Sequence, residues 1–247
     1  MRLDYTRYKR VIEGEYKMGR ENNKGKLFSF DFWQKFGKTL MVVIAVMPAA
    51  GLMISLGKLI GMYSPTDSVL LQGFSRVLDT IGWGFINNMH ILFAVAIGGS
   101  WAKERAGGAF ASIIAFILIN RITGSIFGVS SDMLLDSTAT VKSLFGSTLV
   151  VSDYFIDILG APALNMGVFV GIISGFLGAV IYNKYYNYNK LPQALNFFNG
   201  KRFVPFVVIL WSTVTALVLS VIWPFAQGAL NSFGMWLANS KDTAPVL

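Results

Sequence analysis

The chain has 247 residues, of which 54% are apolar and only 14% are charged, and its formal net charge is +8. Soluble domains carry about 25% charged residues, so this composition indicates an integral membrane protein. The basic excess is typical of the cytosolic loops of membrane proteins, and no basic module that would bind nucleic acid is visible. The sequence has no cysteine, which excludes a disulfide framework and a thiolate metal site on this chain.

The chain begins with a polar, basic stretch. We interpret residues 1–30 as a cytosolic leader that contains no cleavable signal peptide. A short interfacial helix is predicted after it, because Phe32, Trp33 and Phe36 share one side and Lys35 and Lys38 can reach the headgroups.

Five apolar runs, each long enough to cross a bilayer, follow this interfacial helix. They are residues 39–57, 80–102, 106–131, 158–183 and 203–240. The sequence therefore predicts an all-α, multi-span membrane protein with about five membrane helices. The last run is too long for one span of about 20 residues. We expect Pro224 to end the crossing, with residues 225–239 either in the outer interface or in a tilted extension.

The charges of the connecting segments alternate and predict the topology. Ten Lys or Arg residues lie in 1–38, two lie in 103–105, and four lie in 184–202, which has no acid. The segments 61–79 and 129–157 contain more Asp than Lys or Arg. The positive-inside rule therefore places the N-terminus in the cytosol and the C-terminus outside.

Three glycines in the fourth run recur every four residues: Gly167, Gly171 and Gly175. This spacing forms a smooth helix face on which another helix can pack closely. Glycine is also common in membrane helices in general, so the alternative is that the spacing has no packing role.

Two polar residues within the runs are candidate functional residues. Arg121 is costly inside a membrane and is either functional or extended toward the outer headgroups. His90, the sole histidine, is expected near the outer end of the second span, either as a packing residue or as a functional one. One histidine without nearby carboxylates cannot form a metal site, and no cofactor or catalytic residue is predicted.

The stretch between the fourth and fifth runs has the most specific residue order. Tyrosines and phenylalanines alternate there with lysines and an arginine, which predicts an amphipathic cytosolic segment. It ends in GKRFVP, whose first four residues are Gly200, Lys201, Arg202 and Phe203. An aromatic belt with cytosolic positive charge accounts for this composition but not for its order.

This order resembles the signature loop of the glucose family of enzyme IIC permeases of the sugar phosphotransferase system. Three further stretches are similar to the membrane spans of that family. They are KFGKTLMVVIAVMPAAGLM at 35–53, FAVAIGGSWAKERAGGAFASIIAF at 93–116 and GAPALNMGVFVGIISGFLGAVIYNKYYN at 160–187.

The resemblance implies a bacterial plasma-membrane permease that takes up glucose or a related sugar. In this family a IIB domain, supplied with phosphoryl groups through IIA, phosphorylates the sugar from a phosphocysteine, and the permeases form homodimers. The loop Gly200–Phe203 would then lie at the substrate path or phosphorylation site. Lys201 and Arg202 could hold sugar hydroxyls, a sugar phosphate or the IIB surface.

The resemblance also implies that residues 31–247 are the N-terminal, scaffold part of an EIIC domain that is incomplete. We expect sugar uptake with phosphorylation only when the remaining part, IIB and IIA are present. The alternative is a truncated, non-transporting scaffold that dimerises with or regulates an intact permease.

Overall fold

The computed structural model describes residues 30–65 and 67–239, so the predicted leader, except for its last residue, lies outside the described residues. Most of this region is helical, which confirms the predicted all-α membrane fold. The helices are α1 (Phe30–Ile44), α2 (Val46–Tyr63), α3 (Val69–Asn87), α4 (Met89–Trp101), α5 (Arg105–Ile126), α6 (Ser131–Leu135), α7 (Val151–Tyr154), α8 (Val168–Tyr185) and α9 (Val204–Asn239). Two short 3₁₀ helices, Gln193–Phe198 and Gly200–Phe203, connect α8 to α9.

The first crossing is longer than predicted. Helices α1 and α2 together cover Phe30–Tyr63 and form one apolar stretch, interrupted only at Ala45. The interruption follows from Pro48, which has no N–H to donate to the carbonyl of Ile44. The predicted interfacial helix and the start of the span are continuous, because Phe32, Trp33 and Phe36 belong to the same helix, α1, as Thr39.

The second crossing is bent. Helix α3 returns antiparallel beside α2, and α4 then departs from the α3 axis by 53° after Asn88. The contact between α2 and α3 is close because Ser75 donates a 2.7 Å hydrogen bond to the carbonyl of Gly57. A Cβ atom on Gly57 would lie 2.8 Å from the backbone oxygen of Ser75.

Helices α4, α5, α8 and α9 pack together and form the buried centre of the bundle. Ser112 on α5 lies at their closest approach and donates to the carbonyls of Gly108 and Gly175, at 2.9 and 3.0 Å. The close approach of α4 and α8 to Ser112 depends on glycines, because a Cβ atom on Gly98 or Gly178 would clash with Ser112.

A small β-structured cap covers one end of this bundle. It contains two antiparallel hairpins: β1 (Thr140–Lys142) pairs with β2 (Thr148–Val150), and β3 (Phe155–Asp157) pairs with β4 (Pro162–Leu164). Phe155 and Leu164 are buried against residues of α5, α8 and α9. The fourth crossing therefore begins at Val168 instead of residue 158, because residues 158–164 belong to the cap.

The last helix does not end at Pro224. Helix α9 continues through it from Val204 to Asn239 and is 36 residues, or about 54 Å, long, which exceeds a bilayer core of about 30 Å. Trp223 and Gln227 attach this helix to the cap, because Trp223 Nε1 donates to the carbonyl of Asn165 at 3.0 Å and Gln227 Nε2 to that of Asp153 at 2.6 Å.

Within the described residues, four helical segments are long and apolar enough to cross a membrane, and the number is five if the bent pair α3–α4 counts as one span. With that pair counted, the number agrees with the five predicted crossings. The segments differ from the predicted ones in their bounds, because a proline, a bend and a β-structured cap modify the simple pattern of apolar runs.

Candidate functional site

The end of the bundle opposite the cap carries most of the positive charge, and we call it the basic end. It comprises the start of α1, the turn between α4 and α5, the end of α8 and the two 3₁₀ helices. Asn183 fixes the turn to α8, because it accepts from the backbone N–H of Lys103 at 2.6 Å and donates to the carbonyl of Trp101 at 2.8 Å.

Lys201 pairs with an acid at this end. Its Nζ lies 2.6 Å from Oε1 of Glu104, and the other carboxylate oxygen accepts a hydrogen bond from the hydroxyl of Tyr182. The contact joins residues from the α4–α5 turn, α8 and the loop before α9. The hydrogen bonds from Lys201 and Tyr182 lower the pKa of the Glu104 carboxyl below its usual range, so it is ionised at neutral pH.

Gly107 makes this arrangement possible. The Tyr182 ring lies directly over it, and any Cβ atom at position 107 would clash with the ring. A cavity of about 270 Å³ opens beside the group, with Glu104, Lys201, Tyr182 and Phe110 among its lining residues. Lys201 keeps 60% of its side chain exposed, so donors of its ammonium group remain available to a ligand at the mouth of this cavity.

Arg202 points to a different partner from that of Lys201. It donates to the carbonyl of Phe197 at 3.2 Å, and its guanidinium lies 4.4 Å from the centre of the Phe197 ring. The predicted pair of adjacent cations is therefore divided between two contacts, one to a carboxylate and one to the neighbouring 3₁₀ helix.

Gly200 and Phe203 shape the loop that carries these cations. Gly200 has a φ of +73°, which favours glycine, and its N–H donates to the carbonyl of Tyr188 at 2.7 Å. The Phe203 ring stacks on that of Tyr188 with centroids 5.0 Å apart. Both residues hold the loop against the end of α8, which accounts for the interleaved aromatic residues in this part of the sequence.

The two polar candidates within the spans lie elsewhere. His90 is half-buried near the start of α4, and its ring stacks on Phe116 at 5.1 Å. Arg121 lies on α5 and donates to the carbonyl of Leu159 in the β3–β4 turn at 2.8 Å. Neither is part of the group around Glu104. Arg121 attaches α5 to the cap in this arrangement.

The three glycines of the predicted face differ in position. A Cβ atom on Gly171 would clash with the backbone carbonyl of His90, and one on Gly175 would lie 2.8 Å from the Cβ of Ile97. Gly167 precedes α8 with a φ of +51°, and among the described residues nothing lies within 4 Å of its would-be Cβ. Gly167 therefore makes no close helix contact among the described residues, because α8 begins one residue later.

Sequence reasoning missed Glu104 and Gly178. Glu104 stands between Lys103 and Arg105, and only the cations of that turn were counted toward the topology. The sequence signal for Glu104 is that it is a single acid within a basic turn. Gly178 follows Gly175 by three residues and shares its helix face, but it does not fit the four-residue spacing of Gly167, Gly171 and Gly175.

Comparisons with known proteins extend this description. The sequence profile of the family described as "Phosphotransferase system, EIIC" matches residues 37–247. A glucose-specific EIICBA component from Streptococcus pneumoniae is 67% identical over 221 residues, which cover 90% of this chain and 30% of that protein. A glucose-specific and a glucoside-specific EIICBA component from Staphylococcus carnosus are 35% and 34% identical, over 84% and 83% of this chain. The chain spans about 30% of the length of these relatives.

Proposed function

Because this chain belongs to the EIIC family of the phosphotransferase system, we propose that it forms part of a permease that takes up glucose and phosphorylates it. Two of the relatives described above are named glucose-specific, and the more similar of them is identical at 67% of the aligned positions. The phosphoryl donor would be a IIB domain supplied by a IIA domain, because the relatives are EIICBA proteins.

The contact of Lys201 with Glu104 supports a role for the basic end in this reaction. A phosphoryl group is bound well by cations whose positions are fixed before it arrives. Glu104 fixes Lys201 through one hydrogen bond, and an ammonium group has three donors, so two remain for a phosphoryl oxygen or a sugar hydroxyl. Arg202 adds positive charge to the same loop, although its guanidinium lies on Phe197.

A chimera tests the proposed substrate. The matching segment of the pneumococcal relative is replaced by this chain, and the protein is expressed in cells that lack their own glucose uptake. We expect uptake of labelled glucose that accumulates as glucose phosphate. A chimera whose IIB cysteine is changed to serine is the control and should accumulate no glucose phosphate. Normal membrane insertion without glucose uptake would contradict the proposal and favour the non-transporting scaffold.

A charge-conserving exchange tests the role of the loop in the same chimera. Lys201→Arg combined with Arg202→Lys keeps both charges but changes the donor geometry. We expect glucose phosphorylation to fall at least tenfold while insertion stays normal. Lys184→Arg combined with Lys190→Arg is the matched control at the same end and should leave phosphorylation unchanged. Equal activity of both double variants would reduce the loop to a determinant of topology.

We also propose that the basic end faces the cytosol, so that the N-terminus is cytosolic and the IIB domain can reach the loop. This orientation is supported by the distribution of Lys and Arg. A homodimer is proposed from the family resemblance. The large apolar side chains exposed on α2 and α3, such as Leu52, Leu56 and Phe74, are surfaces that lipid or a second copy can cover.

A further inference from the structure

The cavity described above lies beside the loop, and a larger groove opens on the other side of the α4–α5 turn. It has a volume of about 600 Å³ and lies between α1, α4 and α5. The residues lining it are Lys35, Lys38, Thr39, Val42, Val95, Ala96, Gly99, Ser100, Arg105, Ala106 and Ala109. We propose that this groove binds one anionic phospholipid, with the phosphate at the three cations and an acyl chain along the apolar part.

The charge of the groove favours an anion. Lys35, Lys38 and Arg105 line it, and no acidic residue does. The neighbouring Glu104 pairs with Lys201 and Tyr182 at the other cavity, and among the described residues no ion pair joins it to Arg105. Lys38 and Arg105 have no acidic partner among the described residues.

The start of α5 adds to this attraction. The helix begins at Arg105, and its first N–H groups have no acceptor within the helix. Arg105 and Ala106, from this first turn, both line the groove. A helix N-terminus carries a partial positive charge, so it supports the same anion that the side-chain cations attract.

The shape of the groove favours a lipid over a soluble phosphate. Lys35, Lys38, Thr39 and Val42 lie on one face of α1, and Val42 is seven residues, or about 10 Å, along the helix from Lys35. Val42, Val95 and Ala109 form an apolar wall below the cations. A charged group above an apolar wall, between membrane-spanning helices, matches a phosphodiester joined to an acyl chain.

Small residues leave room for that chain. Gly99 and Ala96 on α4 and Ala106 and Ala109 on α5 face the groove, so the helices do not fill it with their own side chains. Trp101 lies at the rim, with the ammonium group of Lys35 5.0 Å from its ring centre. Tryptophan is frequent at the headgroup level of membranes, which places the cations at the depth of lipid phosphates.

Native mass spectrometry of the full 247-residue chain in detergent tests this inference, with dioleoyl phosphatidylglycerol and dioleoyl phosphatidylcholine as probes. We expect one phosphatidylglycerol to remain bound and phosphatidylcholine to bind at least tenfold more weakly. Lys38→Gln combined with Arg105→Gln should weaken phosphatidylglycerol binding by roughly tenfold or more, since a cation near an anionic surface contributes about fivefold. Lys184→Gln combined with Lys190→Gln removes the same charge elsewhere at the basic end and should bind as wild type.

Two further measurements separate a lipid from a soluble anion. Ala109→Leu keeps every cation but fills the apolar part, and it should also weaken phosphatidylglycerol binding. Glycerol 3-phosphate at equal concentration should not displace the lipid. Equal weakening by the two charge-removing double variants, or displacement by glycerol 3-phosphate, would overturn the proposal. Lys38 and Arg105 are exposed, so their substitution is compatible with folding. The charge-removing variant therefore tests lipid binding even if Ala109→Leu does not fold.

Discussion

Glu104 is the residue on which the geometry of the basic end depends. It separates Lys103 from Arg105 in the sequence and contacts Lys201, 97 positions further along the chain. Ion pairs between exposed side chains contribute little to global stability. The contact instead determines where an otherwise mobile ammonium group lies, and that position is what phosphoryl recognition requires.

Substitution of Glu104 should loosen the loop without unfolding the bundle. Glu104→Gln keeps an acceptor for Tyr182 but removes the charge that holds Lys201. We expect faster amide hydrogen exchange in a peptide covering Gly200–Phe203 and unchanged exchange in α5 and α8. Asp136→Asn, at the opposite end, is the control and should leave the loop peptide unchanged. Equal exchange in wild type and Glu104→Gln would show that the ion pair does not hold the loop.

The same contact predicts a pH dependence. The pKa of Glu104 is lower in the folded chain than in the unfolded chain, so its contribution to loop stability is complete above the usual glutamate range. This contribution is lost as the pH falls through the lowered pKa. Exchange in the loop, corrected for the intrinsic rate, should therefore be constant from about pH 6 to 8 and increase below about pH 4. Glu104→Gln should show no such increase.

At the scale of secondary-structure elements, helix α8 is the centre of the packing. It contacts α4 through Gly171 and Gly175 and α5 through Gly178. Interhelical contacts in membranes depend on close backbone approach, because lipid is as apolar as the side chains and provides no hydrophobic driving force. The atoms that face these glycines belong mainly to backbone, which cannot move aside as a flexible side chain can.

Addition of one methyl group should therefore destabilise this contact. Gly171→Ala places a Cβ atom against the backbone carbonyl of His90, and we expect a lower thermal unfolding temperature in detergent. Gly84→Ala is the control, because among the described residues nothing lies within 4 Å of its added Cβ. That variant should be unchanged or slightly more stable, since alanine favours helix by up to about 1 kcal/mol over glycine. Equal unfolding temperatures would contradict the packing role of Gly171.

The lengths of the apolar runs predicted the number of crossings, because a helix that spans a bilayer needs about 20 apolar residues in any order. They did not predict the β3–β4 hairpin, because residues 158–164 carry no charge and their buried members, Ile158, Ala163 and Leu164, are covered by the protein core. The sequence left open whether residues 225–239 extend the last span, and α9 continues through Pro224 to Asn239. A proline inside a membrane helix ends it only when the freed carbonyl has no other means of satisfaction.

The site was predicted only in part, for a physical reason. Residue order identified Gly200–Phe203 as a special loop, and the structure places it at the basic end. The partner of Lys201 could not be found in the same way, because Glu104 lies 97 residues away and the packing of α9 on α5 brings them together. A local pattern reveals a loop, whereas a long-range ion pair depends on the complete fold.

At the scale of the whole molecule, the charges are separated between the two ends. The basic end carries most cations, and the cap end carries Asp132, Asp136, Asp153 and Asp157. Because the chain has no cysteine, a single introduced thiol reports the side of the membrane. Ser137→Cys at the cap should react with an impermeant thiol reagent added to intact cells, whereas Asn187→Cys should react only after lysis. The reverse pattern would contradict the proposed orientation.

The composition of the whole chain predicts that it neither transports nor phosphorylates sugar by itself. Transfer from a phosphocysteine needs a thiol, and the 247 residues contain none. His90 cannot replace it, because its ring lies on Phe116 within the bundle and outside the group around Lys201.

Sugar binding also requires a polar pocket, and the described residues form such a pocket poorly. Tight recognition needs several polar groups that converge on one pocket. The groove between α1, α4 and α5 combines cations with an apolar wall, and the smaller cavity offers one carboxylate that is already paired with Lys201 and Tyr182.

Purified chain in liposomes, given phosphorylated IIB and labelled glucose, should therefore yield no sugar phosphate and no saturable uptake above empty liposomes. The chimera with the pneumococcal relative is the positive control under the same conditions. Saturable uptake by the chain alone would place a sugar site within these residues and would assign the smaller cavity, with Glu104 at its edge, as the first position to mutate.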